Sequence, residues 1–131
     1  MLYTSYFAKM KSLPANCVTV AICGKSPDWY TGLEYKKLAP KWSFFKVWKK
    51  TYDNDYYIKE LNSLVLNGLN ANRCLTDLLN LLDKEQQTAY LAGKLHIVLL
   101  CYEKPCDFCH RHLVADWFNQ YGIACKEYEF K

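Results

Sequence analysis

The sequence predicts an α/β fold, a single Rossmann-like domain whose small, mainly parallel sheet of about four strands is flanked by helices. Three observations lead there. Apolar or β-branched runs at 2–7, 17–23, 95–102 and 123–130 read as strands. Stretches of helical periodicity fill the interval between the second and third of these. A strand, helix and strand in succession over 95–130 call for a parallel pairing with a right-handed crossover. At 131 residues the chain (1–131) suits one domain with one sizeable core.

The elements follow in order. LYTSYF, at 2–7, holds the Tyr, Thr and Phe that favour extended structure. A short turn or helix ends at Pro14, and CVTVAIC at 17–23 makes a second strand that Gly24 stops. Residues 24–40 form a long connection punctuated by Gly24, Pro27, Gly32 and Pro40. A connection of that length in a compact domain is functional or partly helical. Its Trp29, Tyr30 and Tyr35 are costly to leave in water, so they form either a lid on the core or a stacking surface.

A helix over 41–50 would bury Trp42, Phe45 and Trp48. Asp53 or Asn54 caps the next helix, 55–67, which has Ile58, Leu61, Leu64 and Val65 on one stripe. Gly68 stands where a left-handed terminal residue belongs. A third helix, 71–82, repeats the stripe with Leu75, Leu78, Leu79 and Leu82. Asp83 followed by Gln86 reads as a capping arrangement for a short helix to 92, ended by Gly93. The last strand, 123–130, is expected at a sheet edge because Lys126, Glu127 and Glu129 tolerate little burial.

Composition narrows the function. A hydrophobic fraction of 51% with 16% aromatic residues excludes disorder. No signal peptide and no run near the ~20 apolar residues of a membrane span are visible. The expectation is a cytoplasmic protein with no membrane association. Seven cysteines, an odd count without an export signal, read as reduced thiols. The net charge of +4 is uneven: 25–50 holds seven lysines against Asp28 and Glu34, +5 in all, leaving −1 elsewhere. Such a stretch favours phosphates and nucleic acid, although a plain solvated lysine face has the same composition.

Chemistry is densest in LHIVLLCYEKPCDFCHRHLVADWF, residues 95–118. A helix from Phe108 to Tyr121, N-capped by Asp107, would bury Leu113, Val114, Trp117, Phe118 and Tyr121 and point free amides into a cleft. Arg111 in its first turn offers a fork for phosphate. Glu103 and His110 can serve as acid and base, and Cys101 or Cys109 near that helix start as a nucleophile of lowered pKa. The plain alternative is a Glu103–Arg111 ion pair bracing the loop over inward-packed cysteines. If the second and third strands run parallel, the segments 24–35 and 101–111 leave the sheet at the same edge and line one cleft.

Two other functions compete. Cys101-x4-Cys106-x2-Cys109-His110-x-His112 holds five zinc-type ligands in twelve residues, but they form one cluster where structural zinc usually takes two separated pairs. Helical neighbours also point about 100° apart, which sets Cys109 and His110 against a shared metal. The expectation is therefore a site with no metal and no cofactor, with zinc as the alternative. The lysines and aromatics of 25–50 equally fit a non-enzymatic module for nucleic acid or a protein partner.

The run LLCYEKPCDFCHRHLVADW resembles the C-terminal signature of the family numbered 488 among domains of unknown function. Cys101, Glu103, Cys109, His110 and Arg111 fall on that signature. GKSPDWYTGLEYKKLAPKW, at 24–42, is similar to the N-terminal half of the family's compact bacterial and phage-borne members. The resemblance implies a small α/β domain with an intracellular role and carries no agreed activity. The resulting expectation is a phosphate-bearing ligand, a nucleotide or nucleic-acid end, bound by Lys25, Asp28, Trp29, Tyr30, Tyr35, Cys101 and Arg111. Glu103, Cys109 and His110 are the candidate catalytic groups, and whether they hydrolyse or transfer part of the ligand is open.

Overall fold

The computed structural model describes residues 1–103 and 107–130. Strands β1 (Leu2–Tyr6), β2 (Cys17–Ala21), β3 (Leu33–Glu34), β4 (His96–Cys101) and β5 (Cys125–Glu127) form one sheet in the order β3-β2-β4-β1-β5. Every pairing is parallel. The strand beyond the expected four is β3, two residues inside the 24–40 connection. It is too short to show periodicity and is fixed by its register against Val20 and Ala21.

β4 lies at the centre, and Ile97, Val98, Leu99 and Leu100 have no exposed surface. That coverage on both faces explains its unbroken apolar run. Alternate positions go to different clusters. Val20, Ile22, Ile97 and Leu99 pack with the helices in the main core, whereas Ala21, Cys23, Val98 and Leu100 meet Phe7 in a second, smaller one.

The helices are α1 (Trp42–Thr51), α2 (Asn54–Leu64), α3 (Ala71–Asn80), α4 (Lys84–Leu91) and α5 (His110–Gln120). Their starts are chemically marked. Asp53 accepts from the Tyr56 amide at 3.1 Å and Asn70 from the Arg73 amide at 2.9 Å. Asp83 and Gln86 complete a reciprocal capping box. Each such cap stabilises by ~1 kcal/mol. Leu61, Leu78, Val114 and Phe118 are buried in the main core, each worth roughly 1.5–3 kcal/mol.

Several local expectations are corrected. Gly68 closes a 3-10 turn, Leu66–Gly68, without a left-handed backbone. The glycines with positive φ are Gly93 (76°) and Gly122 (81°), just beyond α4 and α5, where side chains with a Cβ are disfavoured. In α1 the buried residue is Phe44; Trp42 is 65% exposed. Leu64 projects from α2, leaving its buried stripe to Tyr57 and Leu61.

α5 starts at His110 rather than Phe108, and its N-cap is Cys109, not Asp107. The cause is packing: Phe108 reaches across to Trp48 and Tyr57, with ring centroids 5.5 and 5.1 Å apart, so the backbone stays extended through Cys109. At the far end α5 stops at Gln120, and Tyr121, expected in the buried stripe, is exposed.

The strand order places a crevice. From β2 the chain continues outward to β3, and from β4 it crosses β1 to reach β5 on the opposite side. Neighbouring strands whose connections depart in opposite directions leave a gap at their carboxyl ends, where α/β sheets bind ligands. Here that gap lies between Ala21 and Cys101. No helix among the described residues is long and apolar enough to cross a membrane.

Candidate functional site

A cavity of about 630 Å³ opens at this switch point. Cys23, Gly24 and Lys25 border it from the end of β2, and Cys101, Tyr102 and Glu103 from the end of β4. Cys109 and His110 close its floor at the start of α5. Phe45 and Trp48 of α1, Tyr57 of α2 and Phe108 make an aromatic wall, with Lys49 and Trp42 on the same side. The wall is continuous: Trp48 contacts Phe45, Tyr57 and Phe108 at centroid separations of 6.0, 5.5 and 5.5 Å. The Tyr102 hydroxyl donates to the Lys25 carbonyl and ties the two strand-end loops together.

The floor is a buried polar cluster. His110 Nε2 lies 2.8 Å from the Ile22 carbonyl, which can only accept, so Nε2 carries a hydrogen. The other ring nitrogen, Nδ1, is 3.3 Å from Cys101 Sγ, and that sulfur lies 3.8 Å from Glu103 Oε2. One donor atom from each of Cys101, Cys109 and His110 falls within 4.8 Å of the others. The expected divergence of Cys109 and His110 does not arise, because Cys109 precedes the helix with φ −151° and ψ 142°.

Electrostatics within the cluster are divided. Burial opposes ionisation of Cys109. Hydrogen bonds from Cys101 and His110, the charge of His110 and the Arg111 amide outweigh it and hold this thiol well below the ordinary range. Cys101 is pushed up, first by its hydrogen bond to Cys109 and then by burial. Burial also raises the Glu103 carboxyl, and the neighbouring charge of Cys109 adds to the effect. One thiol is thus favoured as the anion beside two groups favoured in their neutral forms.

Arg111 sits elsewhere. It has no exposed surface, and its fork faces Glu127 of β5, with Nε 3.0 Å from Oε1 and Nη2 2.9 Å from Oε2. Nη1 donates to the Glu103 carbonyl at 2.6 Å, and the Thr4 hydroxyl donates to the same Glu127 carboxylate at 2.6 Å. The expected phosphate fork is therefore a brace that fixes the loop after β4. The expected bracing pair is corrected as well: the acid is Glu127, and Glu103 contributes only its backbone.

The 24–35 segment divides in the same way. Lys25 borders the cavity, whereas Asp28, Trp29, Tyr30 and Tyr35 are not among its lining residues. Tyr30 donates to the Leu33 carbonyl at 2.7 Å, and Phe7 packs edge-on against Tyr30 and Trp29 at 5.3 and 6.0 Å. Tyr35 is buried and donates to Asp77 at 2.6 Å. Asp28 is exposed. The lysines also separate, since Lys36 bonds Gly24 and Glu34 and Lys37 meets Asp77. Cys106 lies outside the described residues. The six cysteines within them are free thiols.

Residues missed as site candidates are Cys23, Phe45, Trp48, Lys49, Tyr57, Tyr102 and Phe108. The aromatics looked like ordinary helix cores. Their surplus within 42–57, seven rings in sixteen residues, was the available signal.

A family model described as "Active DUF488-N3 subclade" matches residues 7–122. No curated protein and no solved structure matches the chain.

Proposed function

The chain belongs to the DUF488 family, and from that premise we propose that it binds a phosphate-bearing ligand, a nucleotide or nucleic-acid end, in the switch-point cleft. The carrying observation is the cavity's composition: a continuous aromatic wall, lysines at two sides and a buried polar floor. Aromatic rings accept a base by stacking, worth ~1–3 kcal/mol per base. Lys25 and Lys49 supply the positive charge that attracts phosphate. Glu103, Cys109 and His110 then face the bound ligand as the groups able to exchange protons with it or attack it. The description of the matched subclade as active supports a working site.

Thermal unfolding with nucleotides and short oligonucleotides tests the proposal. A saturating ligand is expected to stabilise the protein by ~2–4 kcal/mol, visible as a rise in Tm. The rise should shrink in Lys25→Ala/Lys49→Ala, which alters only exposed side chains. A full rise in that double variant would remove the lysines from the reading, and no rise across the panel would remove the ligand class.

A further inference from the structure

We propose that Cys101, Cys109 and His110 form a mononuclear site for a divalent metal of the zinc class, with its open position facing the aromatic cleft. The inference rests on donor geometry and does not depend on the identity of the organic ligand. Two sulfurs and one imidazole nitrogen suit a borderline-soft cation. At ordinary zinc–sulfur and zinc–nitrogen lengths, donors of one tetrahedron stand about 3.5–3.8 Å apart. Here the Cys101 Sγ to His110 Nδ1 separation is 3.3 Å and the whole set fits within 4.8 Å.

The second observation is the orientation of His110. Its Nε2 hydrogen is committed to the Ile22 carbonyl at 2.8 Å, leaving Nδ1 directed at the sulfurs. A metal-binding imidazole is held in this manner, with the outer nitrogen anchored to a carbonyl so that the inner one presents a lone pair. All three ligands are buried, which keeps bulk water from competing, and all three border the cavity. With three protein ligands one position stays open, as in zinc sites that act on a bound water or substrate. Glu103 lines the same cavity with a carboxyl oxygen 3.8 Å from the Cys101 sulfur, placing an acid–base group beside that position.

The test uses the full chain, prepared reduced and free of oxygen. Elemental analysis after growth with added zinc should find one metal per chain. Titrating metal-free protein with Co²⁺ should produce thiolate-to-cobalt absorption and saturate at one equivalent. Cys109→Ser and Cys101→Ser should each weaken binding by more than about 100-fold, a larger loss than outer-partner changes cause. Cys74→Ser, in a separate buried position, should bind as wild type. Should the site variants fail to fold, the wild-type cobalt titration decides alone. Substoichiometric metal without thiolate absorption, or full binding retained in Cys101→Ser, would overturn the proposal. Nucleotide-induced Tm shifts in chelator-treated protein report on the phosphate ligand separately, so either idea can fail without the other.

Discussion

The loops after β2 and β4 leave the same edge of the sheet and yet do different work. The segment after β4 carries Glu103, Cys109 and His110, and these line the cleft beside Tyr102 and Phe108. The segment after β2 is rich in aromatic rings, and beyond Lys25 its Trp29 and Tyr30 pack around Phe7. Polar groups that stay buried need partners, and the helix start and strand ends supply them. Aromatic rings need apolar surface, and Trp29 and Tyr30 find it on Phe7. Convergence in topology therefore does not amount to convergence of side chains.

The sharpest way to break this contrast is Arg111→Ala. It leaves Glu127 and the Glu103 carbonyl without their buried donor and should cost about 3 kcal/mol in urea unfolding. Arg111→Lys should recover little, because a single ammonium cannot replace the fork. A loss below about 1 kcal/mol would mean that the loop after β4 holds its shape unaided.

Next in size is Trp48→Ala, which opens the aromatic wall. Ligand affinity should fall by roughly 10-fold or more, in line with one lost stacking contact. Calorimetric titration measures it, and unchanged affinity would move the ligand away from α1.

Tyr30→Phe probes the other loop. Losing the hydrogen bond to Leu33 should cost ~1 kcal/mol of stability while leaving ligand-induced Tm shifts intact. A loss of ligand response there would return the 24–35 segment to the binding surface.

The smallest effect concerns Tyr35 and Asp77. The Tyr35 hydroxyl, helped by Lys37, holds the Asp77 carboxyl below its usual value of 3.8. A depressed carboxylate contributes stability that is complete above that value and fades as pH falls through the lower folded one. Tyr35→Phe should lower stability slightly at neutrality and flatten its dependence on pH between about 5 and 2, so that wild type and variant converge in acid. Parallel curves for wild type and variant would contradict this linkage.

Much of this was legible in the residues. The β4 run, the helical stripes and the capping box are local patterns, and local patterns survive folding. The cluster of Cys101, Glu103, Cys109 and His110 was legible for the same reason, since contiguous reactive residues have few structural uses. Arg111 was misplaced because its partner, Glu127, is sixteen residues away on an edge strand, and nothing in the sequence marks that pairing. The wall of Phe45, Trp48, Tyr57 and Phe108 was hidden by an ambiguity of period: an aromatic stripe facing a cleft has the same spacing as one facing a core. β3 escaped because two residues carry no period at all.

The register at the sheet's centre also governs how the molecule assembles. Leu2 lies beside Ile97, ninety-five positions along the chain. Closing a loop of that size costs about 4 kcal/mol in chain entropy before any contact compensates. During synthesis β1 must wait unpaired until β4 emerges, and until then β2 has only the two-residue β3 beside it. Helices α1 to α4 form from nearer neighbours and are free to organise first. Refolding should accordingly be slow for a chain of this size, with helical signal gained ahead of sheet closure.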